Sequence, residues 1–293
     1  MRLVTDYARI RVPATARIGG SRDNERVVLA FDYWDDFAAT ITTGETRATV
    51  TGPSRDIAPR DYHHPTIQAM YATLDAMQAP RAGVTLIAQT TIPPAVGLGA
   101  RTAAVMAGII LVRHLLGNPT NFSDSEAVNL AVSLGVAPDR AYAALRGGIS
   151  LHWKHDRLVR SQQISQQGTS DFTVLIPRSH RESDGEQCIS GPLAMLLHAL
   201  VTEPNLLPSV CPSFSYSDSP DRAVSDSIHL LLALHKSRWP ALMLGSGPAI
   251  AVCARVQNDM AEIFSQYGFT ASHARISTGA TVISAQNNVE RGG

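Results

Sequence analysis

Two glycine-rich segments and one aspartate carry most of the chemistry legible in these 293 residues. The first segment is Pro93-Pro94-Ala95-Val96-Gly97-Leu98-Gly99-Ala100-Arg101-Thr102-Ala103-Ala104, a Gly-x-Gly turn leading into an apolar run. Such a turn at the head of a helix leaves backbone N–H groups unpaired at the positive end of the helix dipole, which suits a phosphate. Taken alone, the same glycines also suit a tight turn into a core helix with no ligand. The second segment is Gly245-Ser246-Gly247-Pro248 between two apolar runs, either a hairpin turn or a loop that lets backbone approach a ligand. Asp139 beside Pro138 reads as a helix-start carboxylate lying on the dipole.

Other constellations are weaker. His63-His64 and the pair His152 and His155 lack a His-Glu-x-x-His frame or a Cys/His cluster, so no metal site is expected from them. A G-x-S-x-G nucleophile elbow is absent. Asp35-Asp36 lies among Tyr33, Trp34 and Phe37, which reads as a strand end packed by rings rather than a pair of catalytic carboxylates.

The elements that must position these residues follow from periodicity. Arg9 to Val12 alternates as a strand closed by Pro13, and Ala16 to Arg26 reads as a loop. Val27 to Phe31 is a strand, with short strands at Thr40–Thr43 and Thr46–Val50 around a turn at Gly44-Glu45. Ile67, Met70, Tyr71, Leu74 and Met77 recur at helical spacing behind Pro65. Val84–Ala88 is a strand, and a buried helix is expected over 102–116. Ser123 and Glu126 form a capping-box pattern opening a helix to about Leu134; another helix begins at Pro138 and stops at Gly147-Gly148.

In the second half, strands are expected at Ile149–Trp153, Phe172–Ile176, Ala241–Leu244, Ala249–Ala254 and Ala280–Ile283. Helices are expected at Pro192–Leu200, Asp226–His235 and Asp259–Tyr267, and a mobile Ser/Pro-rich loop at Pro208–Pro220. This mixture predicts an α+β chain of two domains, residues 1–160 and 161–293.

Composition narrows the class. Hydrophobic residues at 44% and charged residues at 17% allow a sizeable core. The 25 basic and 25 acidic residues cancel, without the basic excess of a protein that neutralises nucleic-acid phosphates. Cys188, Cys211 and Cys253 are odd in number and widely spaced, which fits a reducing compartment better than a disulfide framework. Met1 to Asp6 meets charge too early for the core of a signal peptide, and the apolar run Thr102–Leu116 is too short and polar-ended to span a bilayer. The expectation is a cytoplasmic chain with no membrane or nucleic-acid partner.

In order and spacing the motifs resemble those of the GHMP kinase superfamily and, within it, the homoserine kinase family. Pro93 to Ala104 is similar to P-x-x-x-G-L-G-S-S-A-A, and Gly245 to Pro248 to G-[AS]-G-P. Ala137 to Gly148 is similar to H-P-D-N-x-A-A-x-x-x-G-G, and Val12 to Gly19 to the opening V-P-A-T-S-A-N-L-G. Asp61 to His64 and Gly279 to Val282 also have counterparts there. The resemblance covers nearly the whole chain. It implies a two-domain GHMP-kinase fold with the ligand cleft between domains, and ATP-dependent phosphorylation of L-homoserine on the way to threonine. ATP and Mg²⁺ are the implied cofactors, L-homoserine the implied substrate, and a homodimer a possible assembly. Residues 93–103 would bind the ATP phosphates, Gly245 to Pro248 would support the cleft, and Asp23 (or Glu25, by an alternative alignment) would face the substrate hydroxyl.

The departures fall on the reacting positions. Arg101 stands where the family has a metal-binding serine, Ala100 replaces the serine before it, and Gly135 stands where a glutamate supplies the other metal ligand. A guanidinium cannot ligate Mg²⁺, so neither protein ligand is retained. Arg17 and Arg140 replace two asparagines, and the arginine that clamps the substrate carboxylate aligns near Pro192. Arg101 and Arg140 are therefore candidate catalytic cations in place of the usual groups. Three readings stand: a homoserine kinase, a pseudokinase that retains the fold, and another small-molecule kinase of the superfamily.

Overall fold

The computed structural model describes residues 3–20, 25–156, 158–165, 171–179, 189–216, 222–245 and 247–283. The first half runs β1 (Tyr7–Gly20), β2 (Arg26–Thr42), β3 (Arg47–Thr51), α1 (Pro65–Ala76), β4 (Gly83–Gln89), α2 (Ala100–Leu115), α3 (Asp124–Ser133), α4 (Pro138–Arg146), β5 (Ile149–His155) and β6 (Leu158–Ser165). Then follow β7 (Phe172–Pro177), β8 (Ile189–Ser190), α5 (Leu193–Val201), α6 (Leu207–Val210), β9 (Ser215–Tyr216), α7 (Arg222–Lys236), β10 (Ala241–Met243), β11 (Ile250–Val252), α8 (Asn258–Gln266), β12 (Phe269–Ala274) and β13 (Thr281–Val282). Helices and strands are mixed as in an α+β protein.

The first sheet has the order β13-β1-β2-β4-β3, and β5 and β6 extend it along the N-terminal half of β2. β1 does not stop at Pro13. It continues to Gly20, with register shifts against β2 at Pro13/Ala14 and Arg17/Gly19. Proline has no N–H to give a ladder, and a bulge is where a strand tolerates it. The expected loop at 16–26 thus begins as paired strand. The expected short strand at Thr40–Thr43 is the far end of β2, and it does not pair with β3. β4 lies between them, antiparallel to β2 and parallel to β3. α2 is buried nearly all round because it packs against both β1 and α1.

The second sheet, β10-β11-β7-β12, is antiparallel. Its alternation divides two cores. Leu175, Ile250 and Val252 face Val224, Leu231 and Leu234 of α7 and Phe264 of α8. Phe172, Val174, Ile176 and Ala251 face the first sheet, where Phe172 meets Phe31 edge-to-face at 5.3 Å. Strands buried on both faces read as continuous apolar runs, which is how β7 and β10 look in sequence. The Ser/Pro-rich stretch from Pro208 is folded through Tyr216: α6, a 3₁₀ turn and β9 bury Val210, Cys211 and Phe214. Residues 217–220 lie outside the described set.

Asp35 is no strand end. It sits within β2, 1% exposed, and its Oδ1 accepts the N–H groups of Thr91 (2.6 Å) and Ile92 (2.9 Å). The Thr91 hydroxyl donates to Trp34 O at 2.6 Å. This clasp fixes the chain where it leaves β4 for the 93–99 loop. Burial pushes the Asp35 carboxyl up to about 6, against the two backbone donors and with a small further push from Asp36. An acid whose folded pKa is raised favours the fold most below its unfolded value and loses that contribution as pH rises through the folded value. Asn retains an oxygen for both N–H groups but carries no charge. The stability of Asp35→Asn relative to the parent should therefore rise by about 2–3 kcal/mol between pH 4 and pH 7. Urea denaturation across that range measures it; a flat difference would refute the assignment.

Candidate active site

The 93–99 loop is held from behind by backbone. The Thr15 N–H donates to Leu98 O (2.9 Å) and the Ala249 N–H to Val96 O (3.2 Å). Gly97 has φ +91°, and a side chain there would fall on the Leu244 carbonyl. Gly99, in the left-handed conformation, caps α2 with no side-chain hydrogen bond. A Cβ on Gly99 would meet Thr15 Oγ1 at 2.7 Å and Thr15 O at 2.9 Å. Both glycines are thus required by φ and by close approach. The first turn of α2 carries no acidic residue, so the positive end of the helix dipole is not offset by a side-chain carboxylate of its own turn. Thr15 is fully buried, yet its hydroxyl has no hydrogen-bond partner among the described residues.

The turn after β10 joins the same cluster. β10 and β11 form an antiparallel hairpin, as one of the two expectations had it. The turn also packs against the 93–99 loop, as Gly97 shows. The Gly245 N–H donates to Arg17 O (2.7 Å), and Pro248 O accepts from the buried Ser227 hydroxyl (2.6 Å). The Arg140 guanidinium lies directly against Gly245, where a Cβ would overlap it. Of the residues singled out in sequence, the 93–99 loop, Arg140, Gly245, Gly247 and Pro248 therefore come together. Asp23 and Ser246 lie outside the described residues. Glu25, the alternative to Asp23, is exposed.

Sequence reasoning missed the pairing of Arg17 with Asp139. Arg17 donates from Nε to Oδ2 (2.6 Å) and from Nη2 to Oδ1 (2.9 Å), a bidentate bond across 122 residues. Asp139 is more than a helix-start carboxylate on a dipole. It is 2% exposed, and burial works to raise its pKa. The Arg17 bonds and charge, with smaller help from His152 and Arg26, outweigh burial and hold the carboxyl below its ordinary value. His152, behind it, is bracketed by the Ser150 and Ser161 hydroxyls, both at 2.8 Å, and burial lowers its pKa to about 4. Only the replacement of a neutral amide by Arg17, opposite a segment carrying an aspartate, hinted at this pair.

Arg101 makes its hydrogen bond outside that cluster. It is exposed on the first turn of α2, and its Nη2 donates to Leu134 O (3.2 Å), just past the end of α3. A Cβ on Gly135 would lie 3.6 Å from the same nitrogen. Among the described residues no group of three His, Cys, Asp or Glu side chains is placed to hold a metal. The residues present do not fit a protein-held Mg²⁺, which takes oxygen ligands.

Asp139 titration gives a stability test. With its pKa lowered by Arg17, its contribution is present above the unfolded pKa near 3.9 and is lost as pH falls through the folded value. Arg17→Leu leaves a buried carboxylate without its partner and should destabilise the fold by about 3 kcal/mol or more at pH 8. Part of that loss should return at pH 5, where the unpaired carboxyl takes up a proton. Denaturant melts at the two pH values measure both; an equal loss at each would show that Asp139 is not the group affected.

Residues 65–148 match the family model of the GHMP kinases N terminal domain. The chain is 26% identical over 262 residues to a homoserine kinase of Streptomyces coelicolor, covering 84% of each protein. It is 25% identical over 286 residues to a homoserine kinase of Mycobacterium tuberculosis, covering 90% of each. In fold it is similar to the crystal structure of homoserine kinase from Cytophaga hutchinsonii, with TM-score 0.71 and 16% identity over 97% of this chain and 99% of that one. Residues 65–148 thus carry the GHMP kinases N terminal domain, and by fold and the span of chain shared with these relatives the protein is similar to homoserine kinases.

Proposed function

We propose that this protein is a homoserine kinase, transferring the γ-phosphoryl group of ATP to the side-chain hydroxyl of L-homoserine in the cytoplasm, on the way to threonine. The observation that carries the reading is likeness to homoserine kinases over 84–90% of the chain, together with the intact geometry of the 93–99 loop. In this reading residues 93–103 hold the ATP phosphates. The N–H groups at the head of α2, from Ala100 to Thr102, face the phosphate oxygens, and the Gly97 and Gly99 backbones keep side chains out of their way. The substrate lies in a cleft between the N- and C-terminal parts of the chain, bounded by the turn from Gly245 to Pro248.

Phosphoryl transfer asks a protein mainly for alignment and charge neutralisation. The homoserine oxygen attacks the γ-phosphorus, the bond to the β,γ-bridging oxygen breaks, and ADP leaves. On the sequence resemblance, Asp23 accepts the hydroxyl proton. Arg140, lying against Gly245, supplies positive charge at the inner wall. The Arg17–Asp139 pair keeps the start of α4 in register with the end of β1.

The test is ADP release by the purified chain with ATP and L-homoserine, against controls lacking homoserine and against other small alcohols. Homoserine-dependent release is expected. Folded protein that binds ATP and releases no ADP would instead make it a pseudokinase, and release with a different alcohol would reassign the substrate. Gly99→Val should abolish ATP binding, because its side chain would run into Thr15 and dislodge the loop. Unchanged ATP affinity in that variant, read by calorimetry, would show that the loop does not hold phosphate.

A further inference from the structure

We infer that the Arg101 guanidinium has taken the place of a protein-held metal, so that this chain binds a nucleotide polyphosphate without needing a divalent cation. The inference rests on the nucleotide-binding reading above and specifies its electrostatics.

Position comes first. Arg101 and Gly135 are the two places where the family resemblance puts metal ligands, and one side chain fills the space between them. The Arg101 Nη2 is hydrogen-bonded to Leu134 O at 3.2 Å and stands 3.6 Å from where a Gly135 Cβ would be. The guanidinium thus rests on the carbonyl end of α3, where the helix dipole favours a cation. Gly135 has φ +82°, a helix-ending conformation that a glutamate adopts only with strain. Backbone as well as side chain has moved away from a carboxylate ligand.

The balance of charge agrees. The positive end of α2 and Arg101 lie in the same helical turn, and no acidic residue lies in it. Asp139, the acid at the start of α4, is committed to Arg17. A bare divalent cation finds positive potential here, whereas a polyphosphate finds N–H groups and a guanidinium. The buried Thr15 hydroxyl is an independent sign of a ligand. It has no partner among the described residues and lies against Gly99, the residue that caps α2. A buried hydroxyl left without a partner is unfavourable unless something that binds there completes it.

Isothermal titration calorimetry of the full chain with ATP, in EDTA and then in excess Mg²⁺, tests this. The affinity in EDTA should lie within about threefold of that in Mg²⁺. Arg101→Ser should weaken binding in EDTA by about tenfold or more, the scale of a lost charge-assisted contact. Arg101→Lys, which keeps the charge, should retain most of the affinity. Arg101 is exposed, so both variants should melt close to the parent. Binding that vanishes in EDTA and returns with Mg²⁺ would overturn the inference while leaving the kinase reading intact. So would an Arg101→Ser variant that binds in EDTA as tightly as the parent. No ATP binding in either condition would overturn both.

Discussion

A loop can present its N–H groups to a ligand only if something else holds its carbonyls and fixes its path. In this protein that support comes from three directions. Thr15 of β1 donates to Leu98, Ala249 at the end of the β10–β11 turn donates to Val96, and Asp35 of β2 holds Thr91 and Ile92. The first two bonds occupy carbonyls of the loop, and the third anchors the approach to it. Gly97 and Gly99 are glycines because the supporting backbone comes so close that no side chain fits. The path of the loop into α2 is therefore fixed by the protein's own backbone contacts.

Around this frame the charges are arranged in two layers. Arg17 and Asp139 neutralise one another where the carboxylate is buried, since an isolated carboxylate there would be strongly disfavoured. His152 behind them stays neutral between two serine hydroxyls. Arg101 lies outside this layer, exposed on the first turn of α2, where a cation is easily solvated and still adds to the field of the helix. Inner charge thus serves the fold, while the outer cation rests on the carbonyl end of α3.

Much of the fold was legible because local signals were strong. The Ser123/Glu126 capping box is present with both reciprocal bonds, and α4 starts at Pro138 and ends at Gly147. The strand, turn and helix from Gly83 to Leu115 followed from hydrophobic period and glycine spacing alone. Other elements were hidden by mixed signals. Pro13 suggested a strand end because a bulge, set by the partner strand, cannot be seen in one strand. β12 has buried ends at Phe269 and Ala274 and partly exposed residues between, so its pattern is too diluted to mark a strand. The Ser/Pro-rich segment looked like a loop, yet Phe214 and Val210 are drawn into the core by neighbours far away in sequence.

The sequence by itself determined most of the elements, the α+β mixture and the glycine turn at the head of α2, because these depend on local conformational preference and spacing. It also identified which positions depart from the family pattern. Only the tertiary structure decided what the departures do. Arg17 meets Asp139 across 122 residues, Arg140 lies against Gly245, and Arg101 turns toward the end of α3. An arginine side chain is long and flexible, and its charge is satisfied by whichever oxygens the fold brings near. Its role is therefore written in the packing of distant segments and not in its neighbours along the chain.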